Sequence, residues 1–320
     1  MGKQESEQKQ LLNYWGNTPE EEYYSTQGIK STKSTFASPR GLTLFTRSWH
    51  PSTTPPRATI FMVHGYGSDI SWNFQSTPIY LAQNGFASFA VDIQGHGRSD
   101  GLRAFVPSVD AVVDDCVAFF NSVTKSHGRV PRFLFGESMG GAICALIHLR
   151  SLEVEEEGLG FDGAILIAPM CRISEGVRPG WAVQEVLSVL ARFVPTLPIV
   201  PPGDLLEKSV KVPEKKAIAR MNPMRYNGRP RLGTVRELLR VTDYLSSRLC
   251  DVRIPFIVLH GSADTVTDPD VSRELYDKAK SKDKTIKIYD GMMHSMLFGE
   301  TDENIEAVRN DILSWLNDRC

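Results

Sequence analysis

The sequence predicts an α/β fold: a mostly parallel sheet with helices on both faces, interrupted by an inserted helical cap. Three observations carry this reading. Short apolar runs of strand length alternate with longer amphipathic stretches along most of the chain. Most of these runs are apolar throughout, as expected of strands buried on both faces. The rhythm breaks after Pro169 and resumes at Phe256.

The elements follow in order. Residues 1–30 are polar and rich in Glu and Gln, and read as a flexible arm. Gly2 and Ser6 fit the loose myristoylation pattern, although a plain polar tail satisfies the same residues. Residues 42–49 alternate like a strand. Residues 58–63 form a short apolar run that ends in the turn His64-Gly65-Tyr66-Gly67. Residues 87–91 make the next strand, followed by the glycine-rich Gly95-His96-Gly97-Arg98-Ser99-Asp100-Gly101. A helix is expected over 109–123, with Val112, Val113, Cys116, Phe119 and Phe120 on one face. Strand 132–135, helix 139–149 and strand 163–168 come next. Beyond the interruption lie strand 256–259, helix 271–279, strand 285–289 and a closing helix over 305–316. The core therefore spans residues 31–169 and 252–320.

Residues 170–251 form the cap. Val183, Val186, Leu187, Leu190 and Val194 recur at helical spacing, and the breakers Pro195, Pro198, Pro201 and Pro202 follow. A second helical stretch carries Leu238, Leu239, Val241 and Leu245. The first stripe suits either packing against the core or contact with an acyl chain. Arg225, Arg229, Arg231, Arg236 and Arg240 make the cap locally basic, as a solvated face or as an attraction for anionic groups.

Composition narrows the function. The 320 residues are 41% hydrophobic with a formal net charge of −2, which supplies a large core and argues against a dedicated nucleic-acid binder. Five scattered cysteines form no CxxC pair and no metal-ligand spacing, and read as free thiols in a reducing, cytoplasmic setting. There is no apolar run of the roughly eighteen residues that a membrane-spanning helix needs. No cofactor or metal is implied. Gly95-x-Gly97 has Asp100 where a dinucleotide loop would place its third glycine.

The chemistry centres on Gly136-Glu137-Ser138-Met139-Gly140, a G-x-S-x-G pattern between an apolar strand and a helix. This is the nucleophile elbow: a sharp turn lifts the serine Oγ above the sheet, and the flanking glycines admit neighbouring backbone. The helix N-terminus behind it directs amides at developing negative charge. A serine hydroxyl needs a base held by an acid, and with this elbow the chain order is Ser, Asp or Glu, His. Of the seven histidines, only His294 lies beyond both the serine and a strand-end acid. Asp264, just past strand 256–259, is the expected acid; Asp268 and Asp270 suit a turn residue and a helix N-cap. The expected oxyanion donors are the amides of Met139 and Tyr66. His64 braces the loop that carries Tyr66, and Asp92 and Arg98 pin the loop after their strand.

At these residues the chain resembles the plant monoacylglycerol lipases of the α/β-hydrolase superfamily, including caffeoylshikimate esterase. The matching stretches are Pro19-Glu-Glu-Glu-Tyr-Tyr24, His64-Gly-Tyr-Gly-Ser-Asp69, Gly95-His-Gly-Arg-Ser-Asp-Gly101, Phe133-Leu-Phe-Gly-Glu-Ser-Met-Gly-Gly141, His260-Gly-Ser-Ala-Asp264 and Asp283-Lys-Thr-Ile-Lys-Ile-Tyr-Asp-Gly291. The resemblance runs from about Trp15 to the last helix. It implies an ester hydrolase with Ser138, Asp264 and His294 as its triad, and a cap that guides an acyl chain. Animal monoacylglycerol lipases carry a histidine before the nucleophile, where this chain has Glu137.

The resulting expectation is a serine ester hydrolase acting on a small, lipid-like ester, most simply a monoacylglycerol, with possible peripheral membrane contact through the cap. A lysophospholipid or a phenolic ester such as caffeoylshikimate would use the same mechanism. An acyltransferase, or a ligand receptor that has kept the triad, are the readings of another class.

Overall fold

The computed structural model describes residues 15–126, 128, 130–153, 160–172, 178, 180–199 and 205–320. Gly2, Ser6, Pro201 and Pro202 lie outside them. The chain runs through helix α1 (Glu20–Thr26), strands β1 (Ile29–Ala37), β2 (Thr43–Pro51) and β3 (Thr59–Val63), and helix α2 (Ser76–Gln83). β4 (Ala87–Val91), α3 (Val109–Thr124), β5 (Arg132–Glu137), α4 (Met139–Ser151) and β6 (Gly163–Ile167) follow. The cap contributes α5 (Trp181–Phe193), α6 (Leu205–Ser209), α7 (Pro213–Met221) and α8 (Leu232–Arg248). The core closes with β7 (Phe256–Gly261), α9 (Pro269–Lys278), β8 (Lys284–Tyr289) and α10 (Asp302–Asn317).

The eight strands form one sheet in the order β1-β2-β4-β3-β5-β6-β7-β8. β1 and β2 pair antiparallel, β2 pairs antiparallel with β4, and every later pairing is parallel. Strand periodicity splits the core between two faces. Leu134 joins Phe61, Leu166 and Val258 against α3, α4 and α9, while Phe133 and Phe135 join Ile165 and Ile257 against α2 and α10. The face predicted for α3 is buried: Val112, Val113, Cys116, Phe119 and Phe120 all belong to the core.

The arm expected over residues 1–30 is corrected in its second half. α1 forms over an acidic first turn of Glu20, Glu21 and Glu22, which suits the positive end of a helix. Tyr24 is buried, with its hydroxyl hydrogen-bonded to Gln75 and Arg47, and Trp15 stacks on Tyr23 at 4.5 Å. β1 was not anticipated either. Its sequence Ile-Lys-Ser-Thr-Lys-Ser-Thr-Phe-Ala is polar and mostly exposed, because an edge strand is held by main-chain pairing, here nine residues against β2.

The apolar stripe of α5 does not pack against the core. Val183, Val186 and Leu190 are exposed, as are Trp181 and Phe193 at 80% and 79%; Ala191 is the buried residue of this helix. α5 leans on α8, the second predicted helical stretch, whose Leu239, Val241 and Leu245 are buried and Leu238 partly buried. The cap arginines are partly structural. Arg231 donates to the carbonyls of Arg103, at 3.0 Å, and of Thr196, and Arg240 bridges Glu237 and Asp110. All five cysteines are free; Cys116, Cys144 and Cys171 are buried and Cys250 and Cys320 exposed. Among the described residues, no helix is long and apolar enough to cross a membrane.

Candidate active site

Ser138 stands between the end of β5 and the start of α4 with φ 54° and ψ −118°, a conformation that costs a non-glycine residue energy. The packing around it explains why the turn persists. A Cβ on Gly136 would meet the Gly140 carbonyl at 2.4 Å, and one on Gly140 would meet the Val63 carbonyl at 2.0 Å. The main chain of Ser138 is tied on both sides. Its amide donates to Ile167 O at 2.9 Å, and its carbonyl accepts from Gly141 at 2.9 Å and Met170 at 3.0 Å. The side chain is partly accessible, and its hydroxyl makes no hydrogen bond among the described residues.

The predicted acid and base meet directly. His294 Nδ1 lies 2.6 Å from Asp264 Oδ2. Asp264 is buried, and its other oxygen accepts from the amides of Val266 at 2.7 Å and Thr267 at 3.1 Å. Burial alone would raise this carboxyl. The charge of His294 and hydrogen bonds from His260 and His294 outweigh it, holding the group well below the usual carboxylate range. An ionised Asp264 then keeps the proton of His294 on Nδ1 and turns Nε2 outward as an acceptor. His294 also acts electrostatically on Glu137, the neighbour of Ser138.

Sequence reasoning set His260 aside on chain order, yet it is part of this cluster. Its Nε2 lies 3.0 Å from Asp264 Oδ2 and its Nδ1 2.7 Å from Ser272 Oγ. Thr267 Oγ1 adds a donor to the same carboxylate oxygen at 2.8 Å. The available signal was position: His260 ends the apolar run of β7, four residues before the acid. Asp268 rather than Asp270 caps α9, accepting from the Asp270 amide at 2.9 Å.

The loop after β3 rests against Ser138. A Cβ on Gly65 would stand 3.3 Å from Ser138 Cβ. Among the described residues, neither the Tyr66 amide nor the Met139 amide donates to another group, as free oxyanion donors require. His64 braces the loop: its Nδ1 bonds Gly65 O at 2.8 Å and its Nε2 accepts from Ile93 N at 3.2 Å. Burial lowers its pKa to about 4, the Gly65 bond opposing, so the ring is neutral. Asp92 pins two loops, accepting from Ile70 N at 2.8 Å and Arg98 N at 2.9 Å. Glu137 ends β5 on the face of Phe133 and Phe135. Burial pushes its carboxyl up to about 7, with the His294 charge pulling the other way.

A strained serine, a carboxylate-held imidazole and two unengaged amides suit attack on an acyl group. Comparison with known proteins agrees. Residues 54–302 match the family model described as serine aminopeptidase, S33. The chain is 43% identical to a caffeoylshikimate esterase of Arabidopsis thaliana, over 96% of this chain and 91% of that protein. It is 32% identical to a monoglyceride lipase of Homo sapiens, over 87% and 88% of the two chains. A solved structure of a soluble variant of the Saccharomyces cerevisiae monoglyceride lipase, in complex with a substrate analog, superposes with a TM-score of 0.76 at 25% identity, covering 90% of this chain and 94% of that one. The chain thus belongs to the serine hydrolase family of that model, within the α/β-hydrolase superfamily.

Proposed function

We propose that this chain is a serine carboxylic-ester hydrolase that releases a fatty acid from a monoacylglycerol through an acyl-enzyme on Ser138. The observation that carries the chemistry is the Asp264–His294 hydrogen bond, in a chain whose Ser138 is strained into an elbow. His294 Nε2 takes the proton of Ser138 as Oγ bonds the ester carbonyl carbon. The amides of Tyr66 and Met139 stabilise the resulting oxyanion. Collapse breaks the ester bond, and His294 returns the proton to the departing alcohol. A water molecule, deprotonated by His294, then frees the acid.

The exposed apolar face of α5 supports a lipid source for the substrate. Trp181, Val186 and Phe193 are large apolar residues left in solvent on one cap helix, a pattern that marks an interaction surface. The cap would dip this face into the interfacial region of a membrane and draw substrate from it. Five free cysteines support a cytoplasmic setting for that contact. A phenolic ester is the second reading, favoured by the 43% identity to the caffeoylshikimate esterase. The family description names a peptidase, whereas the relatives matched over most of their length are named for esters.

The test compares hydrolysis of a monoacylglycerol and of caffeoylshikimate by the wild type and Ser138→Ala. Faster monoacylglycerol turnover, lost in the variant, is the expected result. Preference for caffeoylshikimate would transfer the chain to the phenolic reading with its mechanism unchanged. Absence of Ser138-dependent turnover on both would overturn the ester-hydrolase reading.

A further inference from the structure

The loop that carries Tyr66 is held from the cap at three successive points. Tyr226 donates its amide to Gly67 O at 2.9 Å. Asn222 Nδ2 donates to Asp69 Oδ2 at 2.6 Å, and both residues are buried. Tyr66 itself is reached through Ala104. Its hydroxyl donates to Ala104 O at 3.1 Å, and Thr234 Oγ1, at the start of α8, donates to the same carbonyl at 3.3 Å. Thr234 in turn accepts from Val106 N at 3.0 Å. These hydroxyls therefore meet on one acceptor, one from the oxyanion loop and one from the cap.

Ala104 is an unusual residue for that role. It is fully buried and adopts φ 53°, a left-handed conformation that alanine seldom takes. Its amide donates to Gly95 O at 2.7 Å, so the strained peptide is anchored on its other side as well. Strain of this kind persists where surrounding contacts over-determine it, and it clusters at functional sites. Here the strain turns one carbonyl to face two hydroxyls from different parts of the chain. The Tyr66 phenol is protonated at neutral pH. Burial first, then Tyr226, raise its pKa above the usual tyrosine range, with Arg231 opposing.

We propose that the cap clamps the oxyanion loop, and that Tyr66 is a positioning residue: its hydroxyl, seated with Thr234 on the Ala104 carbonyl, fixes the direction of its own main-chain amide. The inference rests on the ester-hydrolase reading above and assigns the cap a part in turnover as well as in substrate access. An oxyanion donor works only when its direction is set in advance. Removing one outright costs about 10²–10³ in kcat, so loosening one costs less. A displaced amide weakens the transition state and leaves ground-state binding almost untouched, which separates this effect from a change in the acyl pocket.

The test uses the full chain and a soluble short-chain ester, with a trifluoromethyl ketone as probe, since its adduct with Ser138 carries an oxyanion. For Tyr66→Phe, kcat is expected to fall about tenfold with KM within about twofold of wild type, and ketone affinity to fall with kcat. Thr234→Val should move the same quantities in the same direction, and Thr234→Ser, which keeps the hydroxyl, should recover most of the loss. The Thr234 pair carries the test if Tyr66→Phe fails to fold. Wild-type kcat and ketone affinity in Tyr66→Phe or Thr234→Val would overturn the clamp, as would a rise in KM at unchanged kcat. A wild type without Ser138-dependent turnover would overturn the hydrolase reading and this inference together. A Ser138-dependent wild type beside an unaffected Tyr66→Phe would overturn this inference alone.

Discussion

His260 and His294 converge on a single oxygen: Oδ2 of Asp264 lies 3.0 Å from Nε2 of the first and 2.6 Å from Nδ1 of the second. The buried histidine fixes the carboxylate, and the carboxylate orients the accessible one. Their substitutions should therefore differ in kind. Asp264→Asn keeps the shape but loses the charge that selects the His294 tautomer, and kcat should fall about 10⁴-fold. His260→Phe removes one of several donors to Asp264. One charge-assisted hydrogen bond is worth about 1.5–3 kcal/mol, so a kcat loss of roughly 10–100-fold is expected. Steady-state kinetics on the two purified variants makes the comparison; equal losses would put His260 in the proton transfer itself.

Glu137 gives a pH signature. Burial raises its folded-state pKa from the ordinary glutamate value to about 7. The folded chain therefore holds a proton that the unfolded chain has released across the window from about 4.5 to 7. By linkage, stability falls as pH rises through that window. Glu137→Gln removes the titration, so its Tm relative to wild type should climb between pH 5 and 7 and then level off. Parallel Tm curves for the two proteins across this range would refute the assignment.

The cap face predicts a dependence on how the substrate is presented. Replacing Trp181 and Phe193 together with serine removes two large side chains whose burial in an interface is worth about 1.5–3 kcal/mol each. Co-sedimentation with phosphatidylcholine vesicles should weaken about tenfold or more. Turnover of a monoacylglycerol carried in those vesicles should fall further than turnover of a short-chain ester in solution. Equal losses on the two substrates would point to a pocket role for α5.

The elbow predicts a stability cost. Gly140→Ala drives a Cβ to 2.0 Å from the Val63 carbonyl, a main-chain atom that cannot swing aside. Overpacking of this order costs about 3 kcal/mol, a Tm drop of roughly 5–10 °C in a chain of this size. Calorimetry on the variant checks it, and an unchanged Tm would mean that β3 and α4 can separate freely.

What the sequence made legible follows from how each feature is encoded. β3 to β7 were readable because strands buried on both faces leave largely apolar runs, such as Gly-Ala-Ile-Leu-Ile in β6, and β8, an edge strand, by its alternation of polar and apolar residues. β1 left no such trace, since its partners are main-chain atoms. Ser138, Asp264 and His294 could be chosen because the elbow has a local pattern and the chain order eliminates rivals. The same rule discarded His260, whose place beside Asp264 comes from the short loop after β7. The stripe on α5 was visible as a period, but a period does not say what covers the face. The meeting of Tyr66 and Thr234 on Ala104 joins residues far apart in sequence and has no pattern at all.

The cap lies between β6 and β7, and this sets a timetable for the chain as it leaves the ribosome. The turn at Ser138 is made first, then the whole cap, and only later Asp264 and His294. At about 5–20 residues per second Ser138 precedes His294 by on the order of ten seconds. Through that interval β6 stands with one unpaired apolar edge that β7 will later cover. Slow synthesis of the cap lengthens that exposure, so the yield of native protein should be most sensitive to translation speed across residues 170–251.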